Sequence, residues 1–259
     1  MSQPNTLSLS KRKHSIANQF ANASSYGKHA TVQKKICALI THQAPVKNYD
    51  SILEVGAGTG ILTEYLAKKV SAKSWHINDL TNKSTHKISQ ILPNAKFYFG
   101  DAELMDLGTN HDLIVSANAI QWFDNPLSFI GSSAQKLRSG GHLLFNTFTP
   151  KNFYQIKNIT GYGLQYPTVE QWEDELNKFG FNQIDISIHN YTLCFDTPAQ
   201  VLKHIRDTGV STANNNESSF VWTKSSLQQF YCQYTNQYSN SNQQVELCYE
   251  VLLISAVNS

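Results

Sequence analysis

The 259-residue sequence carries only four cysteines, and no two of them form a C-x-x-C pair. Cys37, Cys194, Cys232 and Cys248 are far apart, which excludes a clustered zinc site and the dense framework of a disulfide scaffold. A reducing compartment, the cytoplasm, is expected. The nine histidines contain no H-x-x-x-H spacing, so no metal site is predicted. Charge is scarce too. Only 15 % of residues are Asp, Glu, Lys or Arg and the net charge is +2, too weak a field to argue for a nucleic-acid partner. No apolar run approaches the roughly 18 residues that cross a bilayer, and the first residues lack the apolar stretch of a secretory signal. No repeat is visible. These absences leave a globular protein without membrane or nucleic-acid partners, expected to be a monomer.

Glycine is used sparingly but concentrated at one place. Ser51–Gly60 reads S-I-L-E-V-G-A-G-T-G, a short apolar run interrupted by Glu54 and ending in Gly56, Gly58 and Gly60. Beyond it, Ile61, Leu62, Tyr65 and Leu66 recur at helical spacing. Strand, glycine turn and helix open a nucleotide-binding α/β unit, in which missing Cβ atoms let a ligand approach the backbone. The dinucleotide fingerprint is G-x-G-x-x-G. Here the third glycine comes one residue early, and by itself the triplet leaves a dinucleotide site or a structural turn open.

The rest of the chain alternates. Residues 1–10 are polar and expected to be a disordered tail. Residues 11–45 hold two helices, Lys11–Ala23 and Thr31–His42, separated by a turn at Ser24–Gly27. Strands are predicted at Ser74–Asn78, Ala95–Phe99, Asp112–Ser116 and His142–Phe148. Helices at Asn82–Leu92 and Pro126–Leu137 connect them, with Arg138–Gly141 as a turn. This pattern predicts a doubly wound, mostly parallel sheet. Further on, Lys151–Ile159 and Thr168–Phe179 read as helices, the second capped by Thr168. Ile184–Ile188 and Tyr191–Phe195 read as strand with a bend between. Pro198–Thr208 and Lys224–Tyr238 are helical, Ser211–Ser219 is an Asn-rich loop, and Val245–Val257 is a final strand. Residues 11–259 are thus expected to be one domain, with 196–240 a helical insertion acting as a lid.

In a doubly wound sheet the ligand lies at the carboxyl ends of the strands. Glu54 and the glycines come from the first strand. Asp79 ends the second, about 20 residues on, where a carboxylate takes both ribose hydroxyls. Asp101-Ala102 follows the third, offering an acid and an N–H to an adenine edge. Asn118 follows the fourth. A lone strand-terminal Asp is as often a turn or cap residue, and Asn118 alone could satisfy loop backbone. Four such ends together favour a nucleoside ligand.

The E-x-G-x-G-x-G turn resembles motif I of the class I S-adenosylmethionine-dependent methyltransferases, which implies S-adenosyl-L-methionine as cofactor and a seven-stranded Rossmann-like methyltransferase sheet. A narrower resemblance rests on D-L-I-V-S-A-N-A-I-Q-W (Asp112–Trp122), L-R-S-G-G (Leu137–Gly141), Y-P-T-V-E-Q-W (Tyr166–Trp172), L-K-H-I-R-D-T-G (Leu202–Gly209) and the Phe20–Gln33 segment. Together these resemble the malonyl-[acyl-carrier protein] O-methyltransferase family of biotin synthesis. The resemblance departs after Tyr26, where Gly27 and Lys28 replace the family's usual Asp and Arg. It implies methyl esterification of the free carboxylate of a malonyl thioester, on malonyl-acyl carrier protein or malonyl-CoA. Such a carboxylate is already ionised at neutral pH, so no general base is needed. It does want a partner, and Arg206 is the candidate, with Tyr26 as a hydroxyl donor on the other side. Lys203 and His204 lie within a turn of Arg206, and Gln121 and Trp122 are expected to line the acyl slot. A methyltransferase of another small carboxylate or a quinone, and a non-catalytic cofactor-binding protein, are the alternatives.

Overall fold

A computed structural model describes residues 11–22, 31–208 and 222–259. The expected tail 1–10, the turn containing Tyr26 and the Asn-rich loop Ser211–Ser219 lie outside the described residues. Seven strands form one sheet: β1 (Asn48–Val55), β2 (Ser71–Asp79), β3 (Lys96–Phe99), β4 (His111–Ser116), β5 (Leu137–Phe148), β6 (Phe181–Phe195) and β7 (Val245–Asn258). Their order is β3-β2-β1-β4-β5-β7-β6. The first five are parallel, and β7 runs antiparallel between β5 and β6. The sheet is Rossmann-like and mostly parallel, as its alternating sequence predicts.

Why these runs become strands is visible in what each face buries. Ile52, Leu113, Val115 and Leu144 enter one core with Val32, Ile36, Leu62 and Leu66. Leu53, Ile114, Leu143 and Phe145 enter the opposite core with Phe129, Ile130, Trp172 and Leu176. Alternate residues thus serve opposite faces, and both faces are covered, which is why these runs look continuously apolar. The covering helices are α1 (Lys11–Asn22), α2 (Thr31–Gln43), α3 (Ile61–Lys69), α4 (Thr85–Ile91), α5 (Ser128–Lys136), α6 (Tyr154–Thr160), α7 (Val169–Lys178), α8 (Pro198–Asp207) and α9 (Lys224–Tyr238). Thr168 caps α7 as expected, and Gln171 completes a reciprocal capping box.

Several boundaries differ from the sequence expectation by a few residues, and three of the differences bear on how strands begin and pair. β1 begins at Asn48, three residues before the apolar run read from Ser51, and the Asp112 carboxylate accepts the Asp50 and Ser51 N–H groups at 2.8 and 2.7 Å. Arg138–Gly141, read as a turn, belongs to β5 as an irregularity in its pairing with β4. The two apolar runs of 184–195 form one strand, and the register shift falls earlier, between Asn182 and Asp185, where Gln183 has φ 46°. The chain winds from β1 outward to β3 and returns to β4 on the other side. That reversal opens a crevice at the carboxyl ends of β1 and β4.

Candidate active site

The crevice is floored by the glycine turn. Gly56 and Ala57 N–H both donate to the Asn78 carbonyl, at 2.9 and 3.0 Å, which ties the turn to the end of β2. All three glycines have positive φ. At Gly56 a Cβ would meet the Ala119 Cβ at 2.3 Å, so the close approach of the β1 and β4 loops requires glycine. Gly58 differs: nothing approaches its Cβ position closer than 4.0 Å, so the space above it is open to a ligand. Gly60 lines neither cavity of this region; it precedes α3 in a left-handed conformation and faces Ile88.

Glu54 lines the cavity above this turn and is 1 % exposed. Its Oε2 accepts from the Thr63 hydroxyl at 2.7 Å, while Oε1 is buried with no partner among the described residues. Burial, and secondarily the Asp79 charge, push its carboxyl up to about 8, against the pull of the Thr63 hydrogen bond. Asp79 sits at the end of β2. Its Oδ2 accepts from Gly58 N–H at 2.8 Å and its Oδ1 from Thr81 N–H at 2.9 Å. Burial raises this carboxyl too, opposed by those N–H bonds. The Thr81 hydroxyl also donates to Oδ1, at 3.2 Å, so it is Oδ2 that keeps a free lone pair for a further donor.

At the end of β3, Asp101 and Ala102 line the same cavity. Asp101 is paired with Lys13, a buried lysine of α1 that the sequence did not single out. Asn118, after β4, has φ 56°; its N–H donates to Asn146 Oδ1 at 2.8 Å and its carbonyl accepts from Gln121 Nε2 at 2.9 Å. Asn118, Trp122 and Gln33 also line a second, smaller cavity, which therefore adjoins the first. Gln121 lines this inner cavity with Asn152, Tyr166, Thr208 and Tyr249. Asn152 Nδ2 donates to the Tyr166 hydroxyl at 3.2 Å, which leaves the phenol proton to give. The side-chain carbonyls of Gln33 and Gln121 are buried without a partner among the described residues.

The cluster expected on α8 is not assembled here. Arg206 is 69 % exposed, lines neither cavity, and its Nε lies 3.7 Å from Asp207 of the same helix. Lys203 also faces outward, paired with Asp207 at 2.5 Å. His204 points inward, but to the Tyr249 hydroxyl at 2.7 Å and the Phe195 ring, as part of the packing. Helical spacing explains the outcome: Val201, His204, Ile205 and Thr208 form the buried face, and Lys203 and Arg206 the other. Tyr26 lies outside the described residues. Tyr166 and Gln33 stand in segments that carry the family resemblance but receive no role from it, and Asn146, Asn152 and Tyr249 gave no local signal of their own, because distant segments bring them together; Lys13 had only its place in a basic run before Ile16.

The unpartnered Glu54 oxygen and the open cradle over Gly58 suit a ligand that brings an ammonium group against the turn, and Asp79 Oδ2 suits a hydroxyl donor such as a ribose hydroxyl. Both fit S-adenosyl-L-methionine. Comparison with known proteins agrees. A methyltransferase-domain family model matches residues 28–186. The chain is 35 % identical over 249 residues to the malonyl-[acyl-carrier protein] O-methyltransferase of Haemophilus influenzae, covering 94 % of each chain. It is 37 % identical over 234 residues to that of Porphyromonas gingivalis, covering 89 % of this chain and 90 % of the relative. Among solved structures, YcgJ of Bacillus subtilis is similar with a TM-score of 0.63, at 14 % identity over 86 % of this chain and 98 % of that one. The N-methyltransferase NodS of Bradyrhizobium japonicum, solved with S-adenosyl-L-homocysteine, gives 0.55 at 13 % identity, covering 96 % and 99 %.

Proposed function

The chain belongs to the methyltransferase family, and within it to the malonyl-[acyl-carrier protein] O-methyltransferases, and from that membership we propose that it methylates the free carboxylate of a malonyl thioester. The observation that carries the reading is the pair of adjoining cavities. One has an acid-and-glycine cradle for the cofactor; the other is a small inner slot walled mainly by aromatic side chains with a few amides and hydroxyls, next to Gln33, Asn118 and Trp122. In this reading Glu54 and the turn at Gly56–Gly58 take the methionine part, Asp79 the ribose, and Asp101 with Ala102 the adenine. Bound S-adenosyl-L-methionine supplies a methyl group activated by its sulfonium.

The protein's own task is positioning. A malonyl carboxylate is ionised at neutral pH, and forming the ester releases no proton that a base must take. The Tyr166 hydroxyl, braced by Asn152, gives the inner slot a neutral donor for one carboxylate oxygen, leaving the other free to react. Trp122, buried, covers the junction, and the unpartnered carbonyls of Gln33 and Gln121 leave acceptors there for a donor on a bound ligand or water. The outward Lys203 and Arg206 suit an acidic carrier protein better than the malonyl carboxylate itself. Esterification masks a charged end, so the product serves as the primer of an acyl chain leading to biotin. The cytoplasm is the compartment that suits four free thiols.

The test is transfer of labelled methyl to malonyl-acyl carrier protein, malonyl-CoA and free malonate in parallel. Esterification of the carrier-linked substrate, with a loss of about tenfold or more in kcat/KM in Tyr166→Phe, is expected. Efficient methylation of free malonate with none of the thioesters would overturn the reading.

A further inference from the structure

The cofactor cavity is closed at its Asp101 end by a helix that the family model does not include, since that match begins at residue 28. Ile16, 2 % exposed, and Ala17 of α1 lie on the cavity wall. The preceding turn of α1 is fastened to two loops. Lys13, itself buried, pairs with Asp101 and Glu103 after β3, lies 3.5 Å from Asp124 after β4, and sits 5.7 Å from the centre of the Phe123 ring. Arg12 pairs with Asp124 at 2.7 Å and donates to the Trp122 and Phe123 carbonyls at 3.3 and 3.2 Å. Glu103 knits the loops beneath, accepting from Asp124 and Asn125 N–H at 2.8 and 3.0 Å. The three carboxylates bring oxygens within 4.8 Å of one another, and the cation among them is the Lys13 ammonium.

We propose that Arg12 and Lys13 make α1 an electrostatic latch over the cofactor cavity, so that cofactor exchange requires breaking their contacts with Asp101, Glu103 and Asp124. The inference rests on the reading that this cavity holds the cofactor. The physical reason is the position of the charges. Closed, the lysine is desolvated but matched by carboxylates; open, all of these groups return to water, so the open state is the one that added salt screens. Lys13 also holds Asp101, the acid assigned to the adenine edge, and is therefore a positioning residue for it.

The test follows dissociation of S-adenosyl-L-homocysteine by stopped-flow tryptophan fluorescence, with titration calorimetry for affinity. This ligand pairs one ammonium with one carboxylate and has no net charge, so the part of the salt effect on its release that the Lys13 variant loses reports the latch rather than the ligand's own charges. For the unaltered protein, dissociation should accelerate from about 0.1 M to about 1 M salt, as the Debye length falls from about 10 to about 3 Å. In Lys13→Met it should be about tenfold faster at low salt and nearly independent of salt, and Lys13→Arg should restore much of both. Arg12→Gln, at the solvent edge, should give a smaller acceleration with a shallower salt slope, and serves if Lys13→Met melts early. Rates within about twofold of the unaltered protein in both variants, with the salt slope intact, would overturn the latch. No binding to the unaltered protein would instead overturn the cofactor reading.

Discussion

Glu54 is the residue whose ionisation most constrains the site. Its folded value near 8 lies above the ordinary 4.5 because burial penalises the charged form. Below about 4.5 both folded and unfolded chains hold the proton, and this group's contribution to stability is fully present. Between about 4.5 and 8 the unfolded chain gives up a proton that the folded one keeps, so stability declines with rising pH across that window. A cofactor ammonium against the free oxygen reverses the preference, because it favours the carboxylate. Affinity for S-adenosyl-L-homocysteine should therefore rise by up to about tenfold per unit between pH 6 and 7.5, with proton release on binding. Calorimetry in buffers of different ionisation enthalpy measures both, and Glu54→Gln should bind more weakly with a flat profile. Two neighbouring glycines should fail differently. Gly56→Ala drives a methyl into Ala119 and should destabilise the fold by more than the roughly 1–2 kcal/mol of left-handed strain alone. Gly58→Ala should lose cofactor binding with only that strain lost from the urea-unfolding free energy.

Helices decide which charged residues reach the chemistry. On α8 the 3.6-residue period turns His204 inward and Arg206 outward, although the two are close in sequence. The His204–Tyr249 hydrogen bond ties α8 to β7 beneath the inner cavity. Tyr249→Phe and His204→Ala should each cost about 1–3 kcal/mol in denaturant unfolding, since each leaves a buried polar partner behind. The double variant should cost less than their sum. Arg206→Ala should change stability by no more than about 0.5 kcal/mol, and any effect on turnover should appear as a raised KM for carrier-linked substrate.

For the molecule as a whole, β7 is the strand on which the antiparallel end of the sheet depends. Although last in sequence, it lies between β5 and β6, and Ile254 pairs with Phe145 on one side and Ile186 on the other. Ile254→Ala should lower unfolding free energy by about 2–5 kcal/mol, a cavity cost in a fully buried place. Ile188→Ala, on the edge strand and 48 % exposed, should shift it by no more than about 0.5 kcal/mol. The parallel half carries the crevice and the antiparallel half walls the inner cavity through Tyr249, so both halves are needed for two adjoining cavities.

The sequence alone determined what depends on neighbours in the chain. The glycine turn after an apolar run, the acids at strand ends and the period of each helix are local patterns, and they were enough to place Glu54, Gly56, Gly58, Asp79, Asp101 and Asn118 around one cavity. Tertiary structure decided what depends on segments far apart. Lys13 reaches across 88 residues to Asp101. The inner cavity joins Gln33 to Asn152, Tyr166 and Tyr249. Arg206 turned outward because its helix packs through Val201 and Ile205. The physical reason is that a strand's backbone direction is written in its own residues, whereas a side chain's surroundings are set by whichever elements the hydrophobic core brings against it.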